Sequence, residues 1–321
     1  MSGPRFKNLD GSGPQPMGNV LKWAVSDKLA GRRRKSPDRA DVASVAADLN
    51  VLVKPPAAGE GMRLTWLGHA SWLVQLDGVT LLLDPVLGPS ISGVVKRNVP
   101  PGVPIEKLPK VDASLVTHNH RDHMDMGTLR QVKAPLIAGA GSSPAGKQIG
   151  VGCTELEWWA STRVGEVSVT FVPSQHWSGR SMFDNNEMLW GGFVIEGSSG
   201  KLYHSGDTAY FEGFREIGRR YPSIDAALLP IGAYDPAWFM EKQHMNPEQA
   251  VQSFADLGAR HFVAMHWGTF KLTDEPLDEP PIRLRAEWKR RQLSDDVLHV
   301  LPVGAMLVVR NGTVARLPPP G

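Results

Sequence analysis

The stretch Val116-Thr117-His118-Asn119-His120-Arg121-Asp122-His123-Met124-Asp125 packs His118, His120, Asp122 and His123, all able to ligate a divalent cation, into six positions. It begins where the apolar run Ala113 to Val116 ends, the point at which a buried strand gives way to a turn. His118 and His120 are two residues apart, so in extended backbone their imidazoles project to one side and can share an ion. Asp122 and His123 follow as the chain bends toward a helix and can serve a second ion. Imidazole mixed with carboxylate suits zinc better than calcium or magnesium, which favour shells of oxygen. A purely structural turn gains nothing from crowding so many ligands. The stretch reads as a catalytic metal site.

Such a site needs further ligands, and three stand in equivalent local settings. His176 follows the apolar run Val167 to Val172, Asp207 follows Leu202 to His204, and His266 follows Phe262 to Met265. Each run reads as a strand. In a sandwich of two sheets, strand ends gather at one rim, so side chains distant in sequence can converge there.

The pattern His118-x-His120-x-Asp122-His123, then His176, Asp207 and His266, resembles the metallo-β-lactamase superfamily. Longer strings resemble a narrower branch, the N-acyl-phosphatidylethanolamine-hydrolysing phospholipase D group. These are Trp66-Leu67-Gly68-His69-Ala70-Ser71, Gln175-His176-Trp177, Pro230-Ile231-Gly232-Ala233-Tyr234, Trp238-Phe239-Met240, Gln243-His244 and His266-Trp267-Gly268-Thr269-Phe270. The resemblance implies an α/β fold, an αββα sandwich of two mixed β-sheets flanked by helices. It also implies a pair of zinc ions, one on His118, His120 and His176, the other on Asp122, His123 and His266, with Asp207 bridging. Iron or manganese can replace one zinc, because similar ligands bind several first-row ions. Asp84, in Leu83-Asp84-Pro85, is implied as the carboxylate that orients a ligand histidine, although a turn-forming aspartate before proline reads equally well. His244 is implied as a substrate-facing catalytic residue, and Asp122 as the group that also orients the nucleophile.

A water shared by two such cations loses its proton near neutral pH and becomes the attacking group. The expected activity is that of a phospholipase D-type phosphodiesterase, cleaving N-acyl-phosphatidylethanolamine or a related glycerophospholipid through a metal-bridging hydroxide. The alternative is a carbonyl hydrolase, a lactonase of the ascorbate-phosphate type or a weak β-lactamase. A non-catalytic, metal-stabilised binding protein is the third reading, disfavoured because every expected ligand is present. Arg121 departs from the branch, which carries an aromatic there, commonly Tyr. A fixed cation at that place favours an anionic substrate. The basic residue expected after Gln175-His176-Trp177 is displaced to Arg180.

The chain has 321 residues, 41% of them hydrophobic, enough to bury a large core. A net charge of +2 does not point to nucleic acid. Cys153 is the single cysteine, which excludes an internal disulfide. No signal-peptide or membrane-spanning run is read, so a cytoplasmic location is expected. Residues 1–59 read as an N-terminal extension and linker, and 60–321 as the catalytic domain. Within the extension, Met17, Val20, Leu21, Ala24, Val25 and Leu29 recur at helical spacing before Gly31-Arg32-Arg33-Arg34-Lys35. An apolar stripe beside a basic cluster suits peripheral contact with an anionic membrane surface, or packing on the chain's own domain. Helices are expected over Asp207 to Arg219 and Pro247 to Leu257, a hairpin over Ala305 to Leu317 around Asn311-Gly312, and a substrate-binding loop over Trp177 to Asn186.

Overall fold

Strands that are apolar at every position need cover on both faces, and the alternation of side chains shows where that cover lies. In Ala226–Pro230, Ala226 and Leu228 enter one hydrophobic cluster while Ala227 and Leu229 enter another. His261–Met265 divides in the same way, Val263 and Met265 against Phe262 and Ala264. The computed structural model, which describes residues 6–181 and 184–319, resolves these clusters into the layers of an αββα sandwich.

The first sheet has eight strands, in the spatial order Thr313–Arg316, Met306–Arg310, Met62–Gly68, Ser71–Leu76, Val79–Leu83, Ala113–Val116, Leu136–Gly139 and Cys153–Leu156. Its first five strands pair antiparallel and the remainder parallel. The second sheet has seven, in the order Leu298–His299, His261–Met265, Ala226–Pro230, Gly200–His204, Gly192–Gly197, Val167–Val172 and Ser161–Val164. Its parallel half runs from Leu298–His299 to Gly200–His204. Between the sheets lies the main core, where Trp66, Trp72 and Leu83 of one face Phe171, Phe193 and Leu228 of the other.

The outer face of the second sheet is covered by the helices Gly213–Arg220, Pro247–Leu257 and Glu279–Arg290, through Phe214, Phe254, Leu284 and Trp288. The helices Met126–Val132 and Ser143–Ile149 cover part of the first sheet, through Leu129 and Ile149 on Val116, Leu136 and Ala138. The helix Pro247–Leu257 has the expected bounds because both its ends are encoded locally. Asn246 and Gln249 form a capping box, and Gly258 closes the helix in left-handed conformation at φ 62°. The closing hairpin likewise forms from Met306–Arg310 and Thr313–Arg316, with Asn311 and Gly312 at positive φ.

The expected helix from Asp207 starts later, at Gly213. Residues 207–209 are drawn instead toward Gln175, whose carbonyl accepts from the Ala209 amide at 2.8 Å and whose amide donates to Thr208 Oγ1 at 3.0 Å. Tertiary bonds thus override local helix propensity at a site residue.

Residues 6–59 pack on the rest of the chain. Ala47 and Leu52 join a cluster with Leu67, Leu73 and Leu82, and Ser44 bridges Val303. The helical run from Met17 widens to a π-helix over Lys22–Asp27. This changes the angular advance per residue and divides the expected apolar stripe. Trp23 turns inward, stacking on Phe239 with ring centroids 5.1 Å apart, while Leu21, Val25 and Leu29 stay 56%, 50% and 85% exposed. Among the described residues, no helix is long and apolar enough to cross a membrane.

Trp288 anchors the outer layer, fully buried and with ring centroids 5.4 Å from Phe254 and 5.6 Å from Phe262. Its replacement in Trp288→Ala is expected to lower unfolding free energy by about 3–5 kcal/mol. Urea denaturation followed by circular dichroism checks this, and a loss below about 1 kcal/mol would mean that the outer helix collapses into the gap.

Candidate metal centre

Three strand exits lead to the site, and each turns through a non-glycine residue in left-handed conformation. His69 follows Met62–Gly68 at φ 54°, Asp84 follows Val79–Leu83 at φ 41°, and His266 follows His261–Met265 at φ 61°. Such conformations cost of order 1–3 kcal/mol each and persist only where surrounding contacts dictate them. A fourth exit, before Asp207, is made by Gly206 at φ 61°. A Cβ there would lie 2.7 Å from the Gly191 carbonyl oxygen and 2.8 Å from Thr117 Cβ, so only glycine fits.

These turns bring His118, His120, Asp122, His123, His176, Asp207 and His266 to one place, where His69 joins the group of Asp122, His123 and His266, and His244 that of His176 and Asp207. The nitrogens of His118, His120 and His176 converge: His118 Nε2 is 2.8 Å and His176 Nε2 3.2 Å from His120 Nδ1. A second group holds Asp122 Oδ2 at 3.8 Å from the Nε2 atoms of both His123 and His266. Asp207 lies between the groups. Its Oδ2 is 4.0 Å from His118, 3.9 Å from His176 and 3.1 Å from His123, and its Oδ1 is 3.0 Å from His266.

The donor set fits cations. Among the described residues, His120 Nε2, His123 Nε2, His266 Nε2 and Asp207 Oδ1 are buried without a hydrogen-bond partner, although His123 and His266 both stand close to Asp207. Unsatisfied buried polar atoms cost about 1–3 kcal/mol each, so a cluster of them calls for something that binds lone pairs. The far side of two rings is fixed as metal ligation requires. His123 Nδ1 donates to Asp84 Oδ2 at 2.7 Å, and His176 Nδ1 donates to the Gln243 carbonyl at 2.8 Å. Asp84 also accepts from the Thr117 amide and hydroxyl at 2.8 and 2.7 Å. Asp84 therefore touches the ligand candidate His123 while also closing a strand end, which joins its two sequence readings.

Burial pushes His118 and His176 well below the ordinary histidine range, and His120 and His244 down to about 4, which leaves them neutral with lone pairs available. Burial opposes charge on His123 too, but Asp207, Asp84 and Asp122 outweigh it and hold its proton well above that range. His266 is raised to about 9, burial again being overcome by Asp207 and Asp122. The same pairing holds Asp122 and Asp207 well below the carboxylate range against their burial. Asp84, Asp122 and Asp207 thus favour positive charge at these two rings, a role that divalent cations can take over.

Above the cluster lies an open cleft. Its floor includes His120, Asp122, Asp207 and His244, Arg121 stands at its edge, and Met17, Val20, Trp23, Phe239, Met240 and Leu272 supply an apolar wall. Arg121 donates to Ser92 Oγ at 3.3 Å and to the Arg180 carbonyl at 3.0 Å. Arg180 turns away from the cleft and braces the histidine turn, donating to the carbonyls of Asn119 at 2.9 Å and Met124 at 2.7 Å. Of the expected loop from Trp177 to Asn186, Trp177, Gly179, Ser181 and Asn185 line the cleft, whereas Met182 and Phe183 lie outside the described residues. Sequence reasoning missed three contributors. His69 carries no local signal beyond the Gly68-His69 turn, and Thr117 lies inside the quoted stretch but is not itself a ligand type. Asn8 binds the backbone of His176 through both its side-chain atoms, at 2.8 and 3.1 Å, from 168 positions away.

Asp84→Asn removes the charge that holds the His123 proton while keeping its volume. Affinity for added zinc is expected to fall about 10–100-fold, measured by competition with a chromophoric chelator. Unchanged affinity would show that His123 needs no such partner.

A family profile described as the beta-lactamase superfamily domain matches residues 80–267. An uncharacterized protein of Mycobacterium tuberculosis is 38% identical over 244 residues, which cover 71% of this chain and 65% of that protein. The chain thus spans less than two thirds of the mycobacterial protein. The N-acyl-phosphatidylethanolamine-hydrolyzing phospholipase D 1 of Caenorhabditis elegans is 34% identical over 246 residues, 70% of this chain and 69% of that one. A solved structure described as a possible metal-dependent hydrolase from Veillonella parvula superposes with a TM-score of 0.65 at 16% identity, covering 78% of this chain and all of that one, and so shows the shared fold. The chain belongs to the beta-lactamase superfamily, and its His and Asp groups form a candidate metal site.

Proposed function

We propose that this protein is a dinuclear zinc phosphodiesterase of phospholipase D type, acting on N-acyl-phosphatidylethanolamine or a related glycerophospholipid. The observation that carries the reading is one juxtaposition: two ligand groups sharing Asp207 form the floor of a cleft whose wall is apolar and whose edge carries Arg121. A glycerophospholipid has the same division, a charged diester joined to hydrocarbon. His118, His120 and His176 would hold one ion and Asp122, His123 and His266 the other, with Asp207 common to both. Bound there, the ions would supply Lewis acidity and an activated water.

The chain's own groups do the rest. Arg121, always charged, would pair with a phosphoryl oxygen. His244 Nδ1 is buried without a partner among the described residues, 3.9 Å from Asp207 Oδ2, and from there would hold a substrate oxygen by hydrogen bonding. The wall from Met17 to Leu272 would take an acyl chain and exclude water from the diester. The N-terminal helix extends this reading to a bilayer. Leu21, Val25 and Leu29 are exposed beside Lys22, Lys28 and Lys35, an apolar face with basic flanks that suits an anionic surface.

The test is a mass-spectrometric product screen on total lipid extract with zinc-replete protein and an Asp207→Ala control. Release of a phosphatidic acid and the matching alcohol by the wild type, lost at least about 100-fold in the control, is the expected result. Turnover of lactones with no phosphatidic acid from any diester would replace this reading by that of a carbonyl hydrolase. For the surface, Leu21→Glu with Val25→Glu is expected to reduce co-sedimentation with phosphatidylserine vesicles about tenfold or more. Hydrolysis of a soluble short-chain diester should be unchanged, and equal sedimentation of both proteins would refute the lipid contact.

A further inference from the structure

His69 is buried within the group it forms with Asp122, His123 and His266, and the proposed function gives it no role. Its position is over-determined. The backbone amide donates to Thr269 Oγ1 at 2.7 Å, and the carbonyl accepts from Trp66 Nε1 at 2.9 Å and from the His266 amide at 3.0 Å. The ring packs against His266 with centroids 3.9 Å apart and against the edge of Phe270 at 5.3 Å. These contacts hold a left-handed residue in place and aim one ring nitrogen, Nε2, at Asp122 Oδ2 at 3.2 Å.

Asp122 needs an anchor more than its neighbours do. It rides on a turn, and its side chain is 17% exposed where His123 and His266 are 0% and 1%. A carboxylate there can swing toward solvent, whereas ligation and orientation of a nucleophile need it fixed. We infer that His69 is a positioning residue, whose Nε2–H donates to Asp122 and fixes the carboxylate toward His123 and His266. A carboxylate can only accept, so the proton lies on His69 Nε2 and that nitrogen is not itself a metal ligand. Nδ1 is then left as an acceptor, buried without a partner among the described residues.

The inference rests on the proposal that Asp122 serves the metals, and its first test needs no substrate. In zinc-loaded wild-type protein with ¹⁵N-labelled histidine, the His69 ring should show a slowly exchanging proton on Nε2. A deprotonated Nε2 with the shift of a metal-bound nitrogen would overturn the inference and make His69 a ligand. Failure of the lipid reading would leave this result untouched. The second test compares two variants of similar volume on whatever substrate the product screen identifies. His69→Leu is expected to lower kcat about 10–100-fold with little change in KM, and to shift the visible absorption of the Co²⁺-loaded protein without reducing its metal content. His69→Gln keeps an amide donor near the same place and should recover most of that loss. Equal loss in both variants, or wild-type kcat and spectrum in His69→Leu, would refute a positioning role. Should His69→Leu fail to fold, the ring proton of the wild type still decides.

Discussion

Asp207 carries the charge on which the site depends. It is buried, and imidazoles from four separate parts of the chain face its oxygens within about 4 Å, His118 and His123 from one turn, His176 from a second, His244 from a third and His266 from a fourth. A carboxylate so deeply placed is tolerable only when positive charge surrounds it, whether from protonated rings or from cations. Remove it and the imidazole groups lose their common partner. The rest of the rim is built to keep that partner in reach, down to the glycine that lets the chain turn just before it.

The sandwich supplies rigidity where this arrangement is strained. Each of the left-handed exits leaves a strand buried on both faces, so the cost of an unfavourable backbone is offset by packing one or two residues away. This explains why chemistry sits at the rim and not in the core between the sheets. A strand interior has no room for irregular dihedrals, and a free loop could not hold them.

Legibility in the sequence followed the range of the interactions. His118 to His123 could be read directly because the spacing itself sets the geometry, and the strands before them because their apolar runs are continuous. His176, Asp207 and His266 each look like an ordinary residue after an ordinary strand; only their recurrence in one pattern singled them out. The helix from Asp207 was misplaced because Gln175, more than thirty residues earlier, binds the segment that local propensity would coil. The N-terminal stripe was read as one face, but the π-helical turn over Lys22–Asp27 divides it into an inward and an outward side. His69 escaped notice because its role depends on a contact to Asp122 across 53 positions.

Asn8 clasps the backbone of His176 and also accepts from the indole of Trp190, which lies 182 positions further along the chain. Bonds that close such long loops form late, because chain entropy must be lost before they return anything. During synthesis Asn8 would wait unpaired until the segment carrying His176 and Trp190 has been made. The setting of His176 at the candidate metal site would therefore wait on that long-range closure.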